Sequence, residues 1–277
     1  MAELGLVISH LFNEASPQGL ALADQSQVWS LRFVPEPAWL SEKPRRRIFH
    51  WGLGPVEADF KKAFLNQKLD RYLAEHKTEL FSFDLGPSAR RHQGILPASP
   101  PLSPSDIFRH SETALKVVRD YYQGPLAAEN YNYYPTGLYD YICEPDFIRT
   151  YLDEFGLGLT LDLAHAAVSA YNLGLDLIRY LEALPLEKTM EIHISRPWLP
   201  EQGSPAEVAS KAASRPGGLW AVDSHGPPRA EEWNLLSNII KNSRIAPSVP
   251  VFVEYYSNLS KLKGVQEYLA TMLDMCN

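Results

Sequence analysis

The chain has 277 residues, 45% of them hydrophobic, which is enough for one large core and a usual size for a single α/β barrel domain. Its formal net charge of -7 gives a long-range field that repels phosphate backbones and so argues against a nucleic-acid partner. The two cysteines, Cys143 and Cys276, have no pairing pattern, no apolar run reaches bilayer length and Met1 to His10 has no basic n-region; the expectation is a cytoplasmic protein with no disulfide framework and no membrane partner.

Along the chain, short β-rich runs alternate with longer stretches. The runs are Leu4 to Ser9, Val28 to Val34, Arg47 to His50, Leu80 to Asp84, Leu126 to Glu129, Leu159 to Asp162, Met190 to His193 and Val251 to Glu254. The first intervening stretch, Leu11 to Gln27, contains Pro17 and Gly19 and has room only for a short helix. Apolar residues then recur at three and four positions in Val56 to Glu75, Ile107 to Tyr122, Asp146 to Phe155, Leu175 to Leu184, Ala230 to Asn242 and Leu259 to Leu273. Pro145 suits a first helical turn and Gly156 a stop. Repeated βα units predict a parallel sheet, and eight of them predict an α/β fold of the (β/α)8 TIM barrel type over residues 1–277, as one domain. Two connections are unusually long, Gly86 to Pro104 and Arg196 to Gly218, and loops of that length serve as lids or binding loops.

Runs three to eight each end in a group that can ligate a metal: His50, Asp84, Glu129, Asp162, His193 and Glu254. In Asp162-Leu163-Ala164-His165 a second donor follows three residues on, and extended backbone through Val222-Asp223-Ser224-His225 puts Asp223 and His225 on one side. Taken singly, each has an ordinary explanation as a hydrogen-bonded core histidine, a turn residue or a helix cap. Their shared position decides otherwise, because barrel enzymes place their chemistry at the carboxyl ends of the strands. Carboxylates and imidazoles crowded into one such mouth suffer desolvation and repulsion unless cations share them.

Oxygen and nitrogen donors without thiolate suit iron, manganese or zinc, and these donors outnumber what one ion can use, so two or three ions are implied. Glu129 and Glu254 are the candidates to bridge ions, with Asp162 next. His10, Asn130 and Tyr131 stand near strand ends, where they would face the substrate or support the ligands. His76, His92 and His110 read as solvated, and Arg45-Arg46-Arg47 as a solvated entry on the opposite face. No Gly-rich phosphate loop, no GxSxG and no Cys beside a suitable His offers a competing chemistry.

Over most of the chain, and best from Phe49 onward, these motifs resemble the multinuclear non-haem iron-dependent oxidative enzymes of the methanobactin-biosynthesis type. His50-Trp51-Gly52-Leu53-Gly54 resembles that family's His-Gly-Val-Gly-Leu segment, Glu129-Asn130 its Glu-Asn pair and Leu161-Asp162 its Leu-Asp-Val strand end. Tyr171-Asn172-Leu173-Gly174 followed by Tyr180 to Pro185 is similar to its run from Asn-x-Gly to x-Leu-x-x-Leu-Pro. Ile192-His193, Val222-Asp223-Ser224-His225 and Val253-Glu254-Tyr255 resemble its Ile-His, Asp-Thr-His and Ile-Glu-Trp. Two positions depart: Asp84, after Ser82-Phe83, stands where the family commonly has an imidazole, and His165 stands where it commonly has Asn.

The resemblance implies an oxygenase or oxidase with two or three iron ions, Fe2+ or Fe3+. Dioxygen would be the co-substrate, and a ribosomally made precursor peptide, often modified at cysteine, the substrate. A partner protein would deliver the leader segment. A second resemblance, in the order Glu, Asp-x-x-His, His, Asp-x-His and Glu, is to the xylose-isomerase-like barrels of the endonuclease IV and sugar isomerase group. His165 fits that group better, and it implies Zn2+ or Mn2+ with phosphodiester hydrolysis or sugar isomerisation.

Overall fold

A computed structural model describes residues 2–33, 39, 45–75, 77–200 and 220–276. In chain order the strands are β1 (Glu3–Ile8), β2 (Val28–Leu31), β3 (Arg46–Trp51), β4 (Thr78–Asp84), the short β5 (His92–Gln93) and β6 (Leu96–Pro97), β7 (Leu126–Glu129), β8 (Gly158–Asp162), β9 (Thr189–Ile194), β10 (Arg196–Trp198), β11 (Val222–Gly226) and β12 (Pro250–Val253). The expected barrel is present: β1-β12-β9-β8-β7-β4-β3-β2 form one closed parallel sheet. The helices around it are α1 (Pro17–Gln25), α2 (Phe60–Asn66), α3 (Leu69–Glu75), α4 (Pro104–Arg119), α5 (Pro145–Phe155), α6 (Leu163–Leu173), α7 (Leu177–Ala183), α8 (Ala230–Ile240) and α9 (Leu259–Cys276).

Local chemistry explains most of these boundaries. Ser103 caps α4 by accepting from the Asp106 amide at 3.2 Å with Pro104 in the first turn, and Ile107, Ala114, Leu115 and Val118 then share the buried face. Pro145 opens α5 and Gly156, at φ 61°, closes it in the left-handed conformation, as expected. Val56 to Glu75 does not form one helix: Lys68 adopts φ 58° and separates α2 from α3. Helix α6 has no clear polar face in the sequence because most of it is buried, so no amphipathic period marks it. The Gly86 to Pro104 connection has structure of its own, since β5 and β6 pair as an antiparallel hairpin within it. Most of the second long connection, like His76 and Val34, lies outside the described residues. His92 is exposed as expected, whereas His110 is half-buried on α4.

Strand residues pointing outward, such as Leu6, Trp29, Phe49, Phe81 and Ile192, pack under the helices in the main core. Those pointing to the axis near the amino ends, Val7, Val28, Ile48, Leu80, Ala127 and Phe252, form a separate apolar plug. Register then sets the level of what lies above the plug: Asp84 is opposite Glu129, and Asp162 is opposite His193. Beyond β3, Gly54 passes so close to Gly86 that a Cβ would stand 1.4 Å from its carbonyl oxygen, which fits a glycine in the His-Trp-Gly-Leu-Gly segment.

Candidate metal centre

Four buried histidines or carboxylates come from the ends of β3, β7, β8 and β9, namely His50, Glu129, Asp162 and His193. Asp84 closes β4, Glu254 follows β12, and His165 stands in the first turn of α6. There Asp162 doubles as the helix cap, its Oδ1 accepting from the His165 amide at 2.7 Å. Asp223 and His225 lie on β11, which pairs antiparallel with β10 rather than entering the barrel. The extended reading of that segment holds at Asp223, but His225 sits at φ 46°, an uncommon conformation for a side chain of this size.

All nine predicted donors are brought to one mouth. His50 Nε2 is 3.3 Å from both Asp84 Oδ1 and Glu129 Oε2. His193 Nδ1 is 2.6 Å from Glu129 Oε1 and 3.3 Å from Glu254 Oε1. His165 Nε2 is 3.5 Å from Asp223 Oδ2, His225 Nδ1 is 3.1 Å from that same oxygen, and His225 Nε2 is 3.2 Å from Glu254 Oε2. Three groupings have ligand atoms within 4.8 Å of one another and share Glu129: with His50 and Asp84, with His193 and Glu254, and with Asp162 and His165. The side chains of Glu129 and Glu254, the two candidate bridging residues, meet at His193 Nδ1.

The supporting residues take distinct places. Asn130 is fully buried and clasps β8, donating to the Asp162 carbonyl and accepting from the Asp162 amide, each at 2.9 Å. Its own carbonyl accepts from His165 Nδ1 at 2.9 Å, which turns Nε2 toward the donors. Tyr131 lines the cavity with its ring 6.0 Å from that of His165, and His10 lies exposed at the rim. The cavity itself is about 540 Å³.

Sequence reasoning missed two charged members. Arg32, just after β2, ion-pairs with Glu254 inside the cavity. Glu191, on β9, is fully buried two residues before His193. Period-two alternation from Ser30 and from His193 would have pointed to both.

Electrostatics shows how the groups of the cluster compensate one another's charge. Burial opposes an imidazolium at His193, but Glu129, Glu254 and Glu191 outweigh it and hold the group well above the usual histidine range. Against the same burial cost, Asp162, Glu129 and Asp223 raise His165, while the Glu254 hydrogen bond and the Asp223 charge push His225 up to about 9. His50 goes the other way, to about 4, because burial and the Arg32 charge both disfavour its cation. Burial lifts Glu129 to about 8 in spite of His193 and His165. Glu254 also meets a burial cost, but Arg32, His193 and His225 bring it well below the ordinary carboxylate value. The donor set is one a metal fits: buried carboxylate and imidazole atoms, held together by shared protons that a cation would displace.

The family of RiPP precursor modification enzymes MbnB/TglH/ChrH matches residues 55–276. The chain belongs to that family. A UPF0276 protein of Paraburkholderia phytofirmans is 32% identical over 146 residues, 52% of this chain and 43% of the relative, so the chain spans less than half of that relative's length. A UPF0276 protein of Pseudomonas aeruginosa strain PAO1 is 24% identical over 225 residues, 78% of this chain and 70% of that one. Among solved structures, a D-tagatose 3-epimerase-like protein is similar with a TM-score of 0.64 at 13% identity, covering 99% of this chain and 98% of that chain. Endonuclease IV from Thermus thermophilus is similar with a TM-score of 0.59 at 14% identity, covering 99% of each. At such identities the likeness is of fold, a xylose-isomerase-like barrel. Among the described residues no helix is long and apolar enough to cross a membrane.

Proposed function

We propose that this chain is a metal-dependent oxidoreductase that uses dioxygen to modify a residue of a ribosomally made precursor peptide, with two or three iron ions held by His50, Asp84, Glu129, Asp162, His165, His193, Asp223, His225 and Glu254. The observation that carries this reading is Glu129, one buried carboxylate shared by three groups of donors, as a residue bridging ions must be. Family membership supports the peptide substrate. Iron held there would supply one-electron redox chemistry and would lower the pKa of a coordinated substrate group.

The chain's own residues prepare the site for that role. His193, His165 and His225 would each give up one of the two imidazolium ring protons on becoming ligands, and Arg32 fixes Glu254 by an ion pair while leaving Glu254 Oε2 toward His225. Tyr131 and His10 border the opening through which a peptide side chain reaches the donors. A cavity of about 540 Å³ admits a side chain and its immediate neighbours, so the leader segment binds elsewhere, which fits delivery by a partner protein.

The test is anaerobic purification after growth with iron, metal quantitation and oxygen uptake with candidate precursor peptides taken from short reading frames neighbouring the gene. Two or three iron ions per chain and peptide-dependent oxygen uptake are expected. A second reading, zinc-dependent phosphodiester hydrolysis of the endonuclease IV kind or a sugar isomerase-like activity, is favoured by His165 in its Asp-x-x-His pair and by the fold likeness. Zinc alone, with cleavage of abasic duplex DNA, would replace the first reading by the second.

A further inference from the structure

We infer that a second cavity, beside the metal centre, receives an arginine side chain of the precursor peptide close to the residue being modified. The inference rests on the peptide-substrate reading above. The chain leaving β7 lines this cavity, about 230 Å³ in volume, with Tyr133, Tyr139, Asp140, Tyr141 and Glu144. Sites for drug-sized ligands run to about 300–1,000 Å³, so this one suits a single long side chain. Tyrosine rings attract a cation through their π-faces, and carboxylates add charge to that attraction. Among the described residues neither Asp140 nor Glu144 joins an ion pair, and Glu144, at the N-cap of α5, makes no capping hydrogen bond with its side chain. Burial and then nearby groups, Asp140 foremost, hold the Tyr133 hydroxyl above its usual range, a negative field of the kind a guanidinium would answer. The formal net charge of -7 favours a basic peptide in the same sense.

Hydrogen bonds hold the wall of the cavity in place. Ser169 on α6 donates its hydroxyl to the Tyr131 carbonyl at 2.7 Å and accepts from the Tyr133 amide at 2.9 Å, while Asn172 donates to the Tyr133 carbonyl at 2.8 Å. Tyr180 on α7 donates to the Cys143 carbonyl at 2.7 Å. A wall fixed in this way lowers the ordering cost of binding. Position decides what the cavity can reach. Tyr139 stacks on Tyr131 with ring centroids 5.7 Å apart, and Tyr131 meets His165 at 6.0 Å. Tyr131 lines the metal centre and Tyr139 the second cavity, so the two rings form the partition between them. Extended peptide covers about 3.3 Å per residue, which puts an arginine about two to four positions from the modified residue within reach. A metal ion is the poorer fit. Among the described residues Asp140, Cys143 and Glu144 do not gather donor atoms within 4.8 Å, and burial pushes the Cys143 thiol up to about 12 while it donates to the Tyr131 carbonyl at 3.3 Å.

The experiment uses the full chain, labelled with 13C in its tyrosine rings and given Zn2+ so that the metal-centre donors do not attract the probe. The probes are N-acetyl-arginine methylamide and its neutral citrulline counterpart. The arginine probe is expected to give a saturable shift of the Tyr133, Tyr139 and Tyr141 ring signals, and the citrulline probe none. Asp140→Asn with Glu144→Gln is expected to weaken arginine binding about 3–30-fold, as the loss of two partly exposed ion pairs would, and Tyr141→Ala about 2–5-fold. Equal shifts from both probes, no shift from either, or a double variant and a Tyr141→Ala variant that both bind like the wild type would overturn the inference. If the double variant does not fold, the citrulline comparison and Tyr141→Ala decide. Arginine-specific shifts in a chain that takes up no metal support the cavity and overturn the iron reading. Iron binding with peptide-dependent oxygen uptake, beside no arginine-specific shift, overturns this inference alone.

Discussion

Near the amino-terminal end of the barrel, Val7, Val28, Ile48, Leu80, Ala127 and Phe252 fill the axis. Two residues further along the same strands or just past them stand Ser9, Ser30, His50, Ser82, Glu129 and Glu254. Both layers are buried and both follow from the same alternation of side chains, yet their energetics oppose each other. The plug stabilises the fold by removing apolar surface from water. The layer above it costs stability, since buried charges are tolerated only where protons, Arg32 or a metal compensate them. Stability and function are thus separated along the axis by one step of the pleat.

The largest expected effect breaks the upper layer. Glu129→Ala removes the carboxylate common to three donor groups, so bound metal should fall below about one ion per chain while circular dichroism stays native. Full metal content in that variant would mean the groups do not act as one cluster. Leu80→Ala is the converse: truncating the plug should cost about 2–5 kcal/mol in denaturant unfolding, with the metal content of the folded protein unchanged.

Acidity sharpens the contrast, because only the upper layer titrates. In the metal-free chain His225 at about 9 and Glu129 at about 8 keep protons that the unfolded chain releases near 6.5 and 4.5. Stability from a raised pKa is complete below the unfolded value and is lost as pH climbs through the folded one. Thermal melts in chelator should therefore fall in temperature between about pH 6.5 and 9. Saturating Zn2+ displaces those protons, so the stabilisation it gives should grow over the same range. A flat profile in chelator would show that these donors do not share protons.

Much of this was legible because it depends on period and position. Strand ends follow from short apolar runs, and the barrel rule then gathers Asp84, Glu129, Asp162 and His193 at one face without any knowledge of contacts. What escaped was information that a period does not carry. Helix α6 is buried almost throughout and shows no polar stripe, and the break at Lys68 is a single left-handed residue inside an unbroken amphipathic pattern. Arg32 and Glu191 were passed over for a different reason. Each lies on an inward-facing position, but a charge there is expected to be excluded from a core, and only the companion groups, Glu254 for one and Thr160 with His193 for the other, make it tolerable.

His225→Ala should have a smaller effect than His193→Ala. Its side chain is 37% exposed against 0% for His193, it stands on β11 outside the barrel, and its loss leaves the three groups around Glu129 intact. Metal titration should show weakened binding with part of the metal retained in the first variant and a larger loss in the second.

The smallest effect is expected at the outer face. Arg46 opens β3, pairs with Glu3 and Glu79, and is 45% exposed, so Arg46→Met should change stability by less than about 1 kcal/mol. His50 lies four residues further along the same strand, roughly 13 Å away at the usual rise per residue, which exceeds the screening length of about 8 Å at physiological salt. The charge removed at Arg46 is therefore not felt by the donors through solvent, and the plug between offers no polar path. Zn2+ affinity in Arg46→Met should match the wild type at physiological salt; a change of tenfold or more would mean that the two ends of the barrel are electrostatically coupled and that the apolar plug does not insulate them.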